Sequence, residues 1–256
     1  MCAAIIAQWG VGWAWIVAVC IFATSGAILT TLRGVGTREG RSDKSVNSEF
    51  IEGLNYVRNN PVVILILLST LVNGLLGRSF IELLPAVSGL LLMGGASELA
   101  WLTAAAGTGA VLGGLLMSRQ AAHVMGLYRL ILVALLGATL LLATLNWLDA
   151  LISLAVVVGL ITFTTTIAGT GCQALTQLLI DPNYHGRVMS LWSMTMMASP
   201  ALGAATNGAL AEWAGFVTTF AVASALGVLA VLALYARRRV VSDFAPEAIA
   251  TTSDSR

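Results

Sequence analysis

Charge is what this sequence has least of. Across 256 residues only 10% are Asp, Glu, Lys or Arg, and Lys44 is the single lysine. A soluble domain carries about 25% charged residues. With 58% hydrophobic residues and a mean hydropathy of +0.90, this chain lacks the polar surface of a water-soluble fold. A net charge of +1, with no basic run that suggests one, argues against a nucleic-acid partner. Cysteine is scarce too: Cys2, Cys20 and Cys172 have neither metal-ligand nor disulfide spacing. No H-E-x-x-H, no G-x-S-x-G and no acidic cluster for metal-bound diphosphates occurs, so no enzyme, cofactor or metal chemistry is expected. A retinal-type receptor needs a lysine inside its last helix, and Lys44 lies in a polar loop. The N-terminus lacks the basic leader of a signal peptide, and its apolar stretch is too long for one.

Long apolar runs are what the chain has instead. Each of about 20 residues matches a hydrocarbon core of ~30 Å. Seven spans are predicted, at about 13–32, 62–86, 97–117, 126–145, 151–180, 188–211 and 215–236; none alternates as a barrel strand would. The expected fold is an all-α polytopic membrane protein. Twelve of its 13 basic residues fall on one side of this threading, Arg78 being the exception. That asymmetry predicts an outside N-terminus and a cytoplasmic C-terminus. Trp9, Trp13, Trp15, Trp101, Trp147 and Trp213 gather near outer ends, and Tyr56, Tyr128, Tyr184 and Tyr235 on the inner side, as interfacial rings do. Trp192, near an inner end, stands apart.

Four regions follow: residues 1–34, the end of one helix and then a whole span; 35–61, a cytoplasmic linker; 62–239, a six-helix half-bundle; and 240–256, a disordered tail. In the linker, Phe50, Ile51, Leu54 and Val57 recur at helical spacing after Asn47 or Ser48, and Pro61 ends the segment. This predicts an amphipathic helix on the membrane surface. An orphan helix followed by a linker and six helices is the arrangement expected of the later portion of a longer protein.

Small residues crowd "AAAGTGAVLGGLL" in the third span and "ASPALGAATNGAL" in the sixth, corresponding positions of a 3+3 repeat. With "EFIEGLNYVRNNPVV", "GRSFIELLPAV", "DPNYHGRVMSLW" and "GALAEWAG", they make the chain resemble the major facilitator superfamily. The resemblance runs from the end of helix five through helix twelve, and is strongest to exporters of the enterobactin-type siderophore and macrolide efflux branch. It implies a secondary active transporter in a bacterial cytoplasmic (inner) membrane, with a small molecule and a proton as its ligands. It also implies that a missing N-terminal half or a second copy must complete it. The small-residue faces of the third and sixth spans would then lack partners within this chain. The alternatives are a non-transporting fragment or partner half and, further off, a seven-helix receptor.

Arg78 and Glu82, four residues apart, share a helix face, and each charge at mid-membrane costs about 2.5–3.5 kcal/mol. They are expected to face protein or a water-filled cavity, either as a proton and substrate site or as a neutralised pair tying helices together. Gly74, Gly77 and Pro85 would let the helix bend. Thr162, Thr166, Thr170, Gln173 and Gln177 form a polar stripe; the resemblance gives this helix a cavity-lining role, and interhelical hydrogen bonding is the other reading. Asn73 points elsewhere than Glu82 and suits a polar helix contact. Asp181 and Arg187, beside the "HGR" turn, suit an inside latch by resemblance, or Arg187 is an ordinary positive-inside arginine. His123 and His185 read as solvated loop residues.

Overall fold

The computed structural model describes residues 11–31, 46–91, 95–119, 124–148, 150–181 and 184–241, which are helical almost throughout with no strand among them. Expectations for the first ten residues, the loop around Lys44, His123 and the tail beyond Val241 lie outside the described residues. Two compact units emerge, Met1–Ser45 and Val46–Arg256. The first contributes α1 (Val11–Thr31), an apolar helix with Ile16, Val19, Ile21, Phe22 and Ile28 exposed. Its Thr24 and Ser25 hydroxyls donate to the carbonyls of Cys20 and Ile21, so its polar groups are satisfied locally, as hydrocarbon requires.

The second unit runs α2 (Val46–Asn59), α3 (Pro61–Val72), a π-helical turn (Asn73–Arg78), α4 (Ser79–Glu82), α5 (Leu84–Leu91), α6 (Ala96–Ser118), α7 (Val124–Thr144), a 3-10 turn (Leu145–Trp147), α8 (Leu151–Leu179) and α9 (His185–Ala236). Five of the described helical stretches are long and apolar enough to cross a membrane. One is α9, whose 52 residues at about 1.5 Å each exceed twice a ~30 Å core. Gly215 divides it: φ of 81° and ψ of 161° lie where only glycine is comfortable. The Thr219 hydroxyl then donates to the Gly215 carbonyl at 2.9 Å as the helix restarts. The sixth and seventh spans of the sequence are thus the two arms of α9. α3 starts where proline dictates, with Asn60 extended and Pro61 in the first turn.

α8 is central, packing against α6 and against α7. Leu154, Val158, Ile161, Thr165, Ala168, Cys172, Leu175 and Leu179 are buried at alternating spacings of four and three, a stripe that follows the helix along its length. Toward one end this stripe meets Val62, Ile66, Tyr128, Ile131 and Leu135; toward the other it meets Phe80, Leu102, Leu142 and Phe220.

Glycine sets how closely the helices approach. A Cβ on Gly109 would strike the carbonyl oxygen of Gly159, and one on Gly113 would lie 2.7 Å from that of Phe163. A Cβ on Gly203 would strike the carbonyl of Leu75. These contacts correct the expectation that the two small-residue segments lack partners in the chain: Gly109 and Gly113 pack on α8, and Gly203 packs on the π turn. Gly107 and Gly114 do meet nothing within 4 Å. A helix has several faces, and the segments use one of theirs internally.

One further expectation changes, that for Tyr128. Tyr128 is buried, its hydroxyl donating to the Leu234 carbonyl at 3.3 Å, and Trp192 is buried with its indole N–H donating to Thr70 Oγ1 at 3.2 Å. Both are interior helix contacts rather than interfacial rings, which accounts for Trp192 standing apart. In α2 the face that packs is Gly53 and Val57, while Phe50, Ile51 and Leu54 remain exposed. Trp101, Trp147 and Trp213 are exposed, as rings at a headgroup boundary should be.

The glycine contacts are directly testable. Gly109→Val should destabilise the detergent-solubilised protein by ~1–3 kcal/mol or more through overpacking, whereas Gly107→Val should stay within about 0.5 kcal/mol. Thermal unfolding of the two variants side by side measures the difference.

Candidate functional site

Arg78 closes the π turn and Glu82 closes α4, about 26 Å and about 32 Å along the helix from Pro61 at 1.5 Å per residue. Both side chains are exposed. Among the described residues neither has an ion-pair partner within 4 Å, including the other. The spacing of four therefore yields two separate charges on the chain's surface, toward one end of the span, rather than a neutralised pair.

The π turn that carries Arg78 is unusually crowded. Asn73 is buried and donates from Nδ2 to the Thr165 carbonyl on α8 at 3.1 Å; its Oδ1 is buried with no protein partner. A Cβ on Gly74 would strike Ser199 Oγ on α9, and one on Gly77 would lie 2.5 Å from Thr165 Cγ2. Asn73 is thus the helix contact its position suggested, and Gly74 and Gly77 serve close packing.

The polar stripe of α8 divides. Thr162 is buried, its hydroxyl donating to the Val158 carbonyl at 2.6 Å, and its Oγ1 lies 2.9 Å from where a Gly109 Cβ would stand. Thr166 likewise borders Gly113, its Cβ 3.2 Å from that glycine's would-be Cβ. Thr162 therefore packs α8 against α6, which corrects its cavity-lining assignment, since the side chain is buried beneath the α6 backbone at Gly109. Thr170 is half-buried and back-bonded to the Thr166 carbonyl at 2.6 Å. Gln173 is half-buried and Gln177 exposed. No hydrogen bond joins these residues to Arg78 or Glu82 among the described residues.

At the other end of α3, α2 is clamped to the turn between α8 and α9. Arg187 Nη1 pairs with Glu52 Oε2 at 2.8 Å. Tyr56 stacks on Tyr184 with centroids 4.5 Å apart, and its hydroxyl accepts the Asp181 backbone N–H at 3.3 Å. The Arg187 guanidinium lies 5.7 Å from the Tyr184 ring centroid, and a Cβ on Gly53 would come 3.1 Å from Arg187 Cβ. Beneath them Val57, Val63, Ile180 and Val188 form a small core. The structure thus brings Asp181 and Arg187 together on α2. The sequence marks Tyr56 only as an inner-side ring and does not mark Glu52, because the apolar stripe of α2 lies on the opposite face; their four-residue spacing around Gly53 is the signal that pairs them.

A recess of about 810 Å³ opens between α6 and α8 beside Trp101, Leu112, Ile152 and Phe163. Its lining is apolar, with no converging polar groups for a hydrophilic ligand. No group of three His, Cys, Asp or Glu able to hold a metal occurs among the described residues.

The Glu52–Arg187 pair gives a quantitative test. Both side chains are partly exposed, so a double-mutant cycle with Glu52→Gln and Arg187→Gln should return a coupling of about 0.2–1 kcal/mol that falls with added salt. A coupling of zero in low salt would show that the pair contributes nothing to holding α2.

No curated protein sequence matches this chain. A family model described as transmembrane secretion effector matches residues 1–252. That match spans nearly the whole sequence, over a bundle of apolar helices already long enough to cross a membrane: the chain belongs to the transmembrane secretion effector family, multi-pass membrane transporters of the major facilitator type.

Proposed function

We propose that the protein is a proton-coupled exporter of a small molecule, with Arg78 and Glu82 facing a water-filled central cavity and Glu82 carrying the proton. The carrying observation is that two charges of a membrane-spanning stretch stand exposed, without ion-pair partners among the described residues. In lipid each would cost up to about 2.5–3.5 kcal/mol, so water or another protein surface must cover them. A second half-bundle, from an N-terminal portion or another copy, completes the cavity in this reading. Thr170 and Gln173 remain candidates for its wall.

The basic residues support an inner bacterial membrane orientation with the C-terminus in the cytoplasm, which puts the α2 clamp on the inner side. There, Asp181 and Arg187 act through Glu52 and Tyr56 as an inside latch. Reporter fusions at Thr37 and Val241 should both read cytoplasmic; an outside signal at either overturns the orientation.

The proton assignment is tested in the complete assembly, at matched membrane abundance across a pH series. Glu82→Gln should abolish proton-driven export while leaving insertion and substrate binding intact. Full pH-dependent export by Glu82→Gln would remove the coupling role.

A further inference from the structure

We propose that Asn207 is a positioning residue: by bonding the Leu75 carbonyl it holds the π turn of Asn73–Arg78, and through that turn it sets the direction in which Arg78 and Glu82 point. The functional weight of this inference rests on the reading of Arg78 and Glu82 given above; the angular claim does not.

In an α-helix the Ser79 N–H would bond the carbonyl four residues back, that of Leu75. Here it passes over Leu75 and bonds the Gly74 carbonyl, five back. The Leu75 oxygen instead accepts the Ser79 hydroxyl at 2.6 Å and Asn207 Nδ2 at 3.3 Å. The same Asn207 amide reaches Ser79 Oγ at 3.2 Å. One side chain from α9 thus bridges the carbonyl that the π turn releases and the hydroxyl that helps to cover it. α9 can come this close because Gly203, one turn before Asn207, has no Cβ to strike Leu75.

A π turn fits one extra residue into the helix, so everything beyond it is displaced by one position relative to an uninterrupted α-helix. One position is a rotation of about 100°. If the turn relaxed to α geometry with α3 fixed, each later residue would take its successor's direction. Arg78 would swing to where Ser79 is fully buried, and Ile81 would take the exposed direction of Glu82. Glu82 would turn toward the half-buried direction of Leu83. The π turn therefore keeps both charges on the exposed face, and the Asn207 amide favours that turn.

The experiment uses the chain in lipid bilayers, with Cys2, Cys20 and Cys172 replaced by alanine and a nitroxide attached through Arg78→Cys or Ile81→Cys. With Asn207 present, the label at 78 should be mobile and the label at 81 more restricted. Asn207→Leu removes the donor at similar volume and should invert that order, immobilising 78 and freeing 81. Deleting Leu76 in the same background removes the surplus residue and should restore the original order. Both labels loosening together, or neither changing, would overturn the proposal. Should Asn207→Leu fail to insert, Ser79→Ala tests the same carbonyl, and deletion of Leu76 alone should leave the original order intact; an inverted order after that deletion would also overturn it. An inverted pattern with export undiminished in the complete assembly would remove the coupling role of Arg78 and Glu82 and leave the positioning role standing.

Discussion

A backbone carbonyl in hydrocarbon must find its hydrogen bond inside the protein, and at Leu75 the helix's usual donor is engaged elsewhere. Much of this structure follows from how that constraint is met. Along most helices the answer is local: the backbone ladder serves the carbonyls, and the hydroxyls of Ser69, Thr70, Thr103, Thr108, Thr176 and Thr195 satisfy their own donors on a carbonyl four residues earlier. At the π turn the answer is tertiary. Asn73 anchors its start to α8, Asn207 supports its middle from α9, and the two charged residues emerge on the remaining side.

Such support works only at short range, which is why small residues matter more here than apolar area. Lipid tails compete with side chains for apolar contact, so close backbone approach supplies what burial supplies in water. Gly203 lets α9 touch the Leu75 carbonyl, and Gly109 lets α6 touch the Gly159 carbonyl. Phe80 against Phe220, with centroids 5.7 Å apart and rings near perpendicular, ties α4 to the second arm of α9. The charged face is therefore mounted on one of the more closely packed parts of the bundle.

The α2 clamp follows a different physics. It depends on an ion pair, ring stacking and four small aliphatic side chains, all placed where the apolar spans end. Each contribution is modest and the ion pair is salt-sensitive.

By itself the sequence determined the fold class, the succession of spans and the start of α3, because these depend on run length, period and proline. It also marked Arg78 and Glu82, since charge in an apolar run is visible without coordinates. Their separation from one another, and the packing role of Thr162, were decided by tertiary structure. A spacing of four states which residues can share a face of a regular helix. It cannot state that one turn holds an extra residue, because the stabilising donor, Asn207, is 132 positions from Leu75 along the chain. Likewise, which face of α2 packs was decided by Tyr184 and Arg187 at the far end of the bundle's sequence. Period and composition are local properties, while the partner of a buried carbonyl is chosen by whichever distant backbone can come close enough.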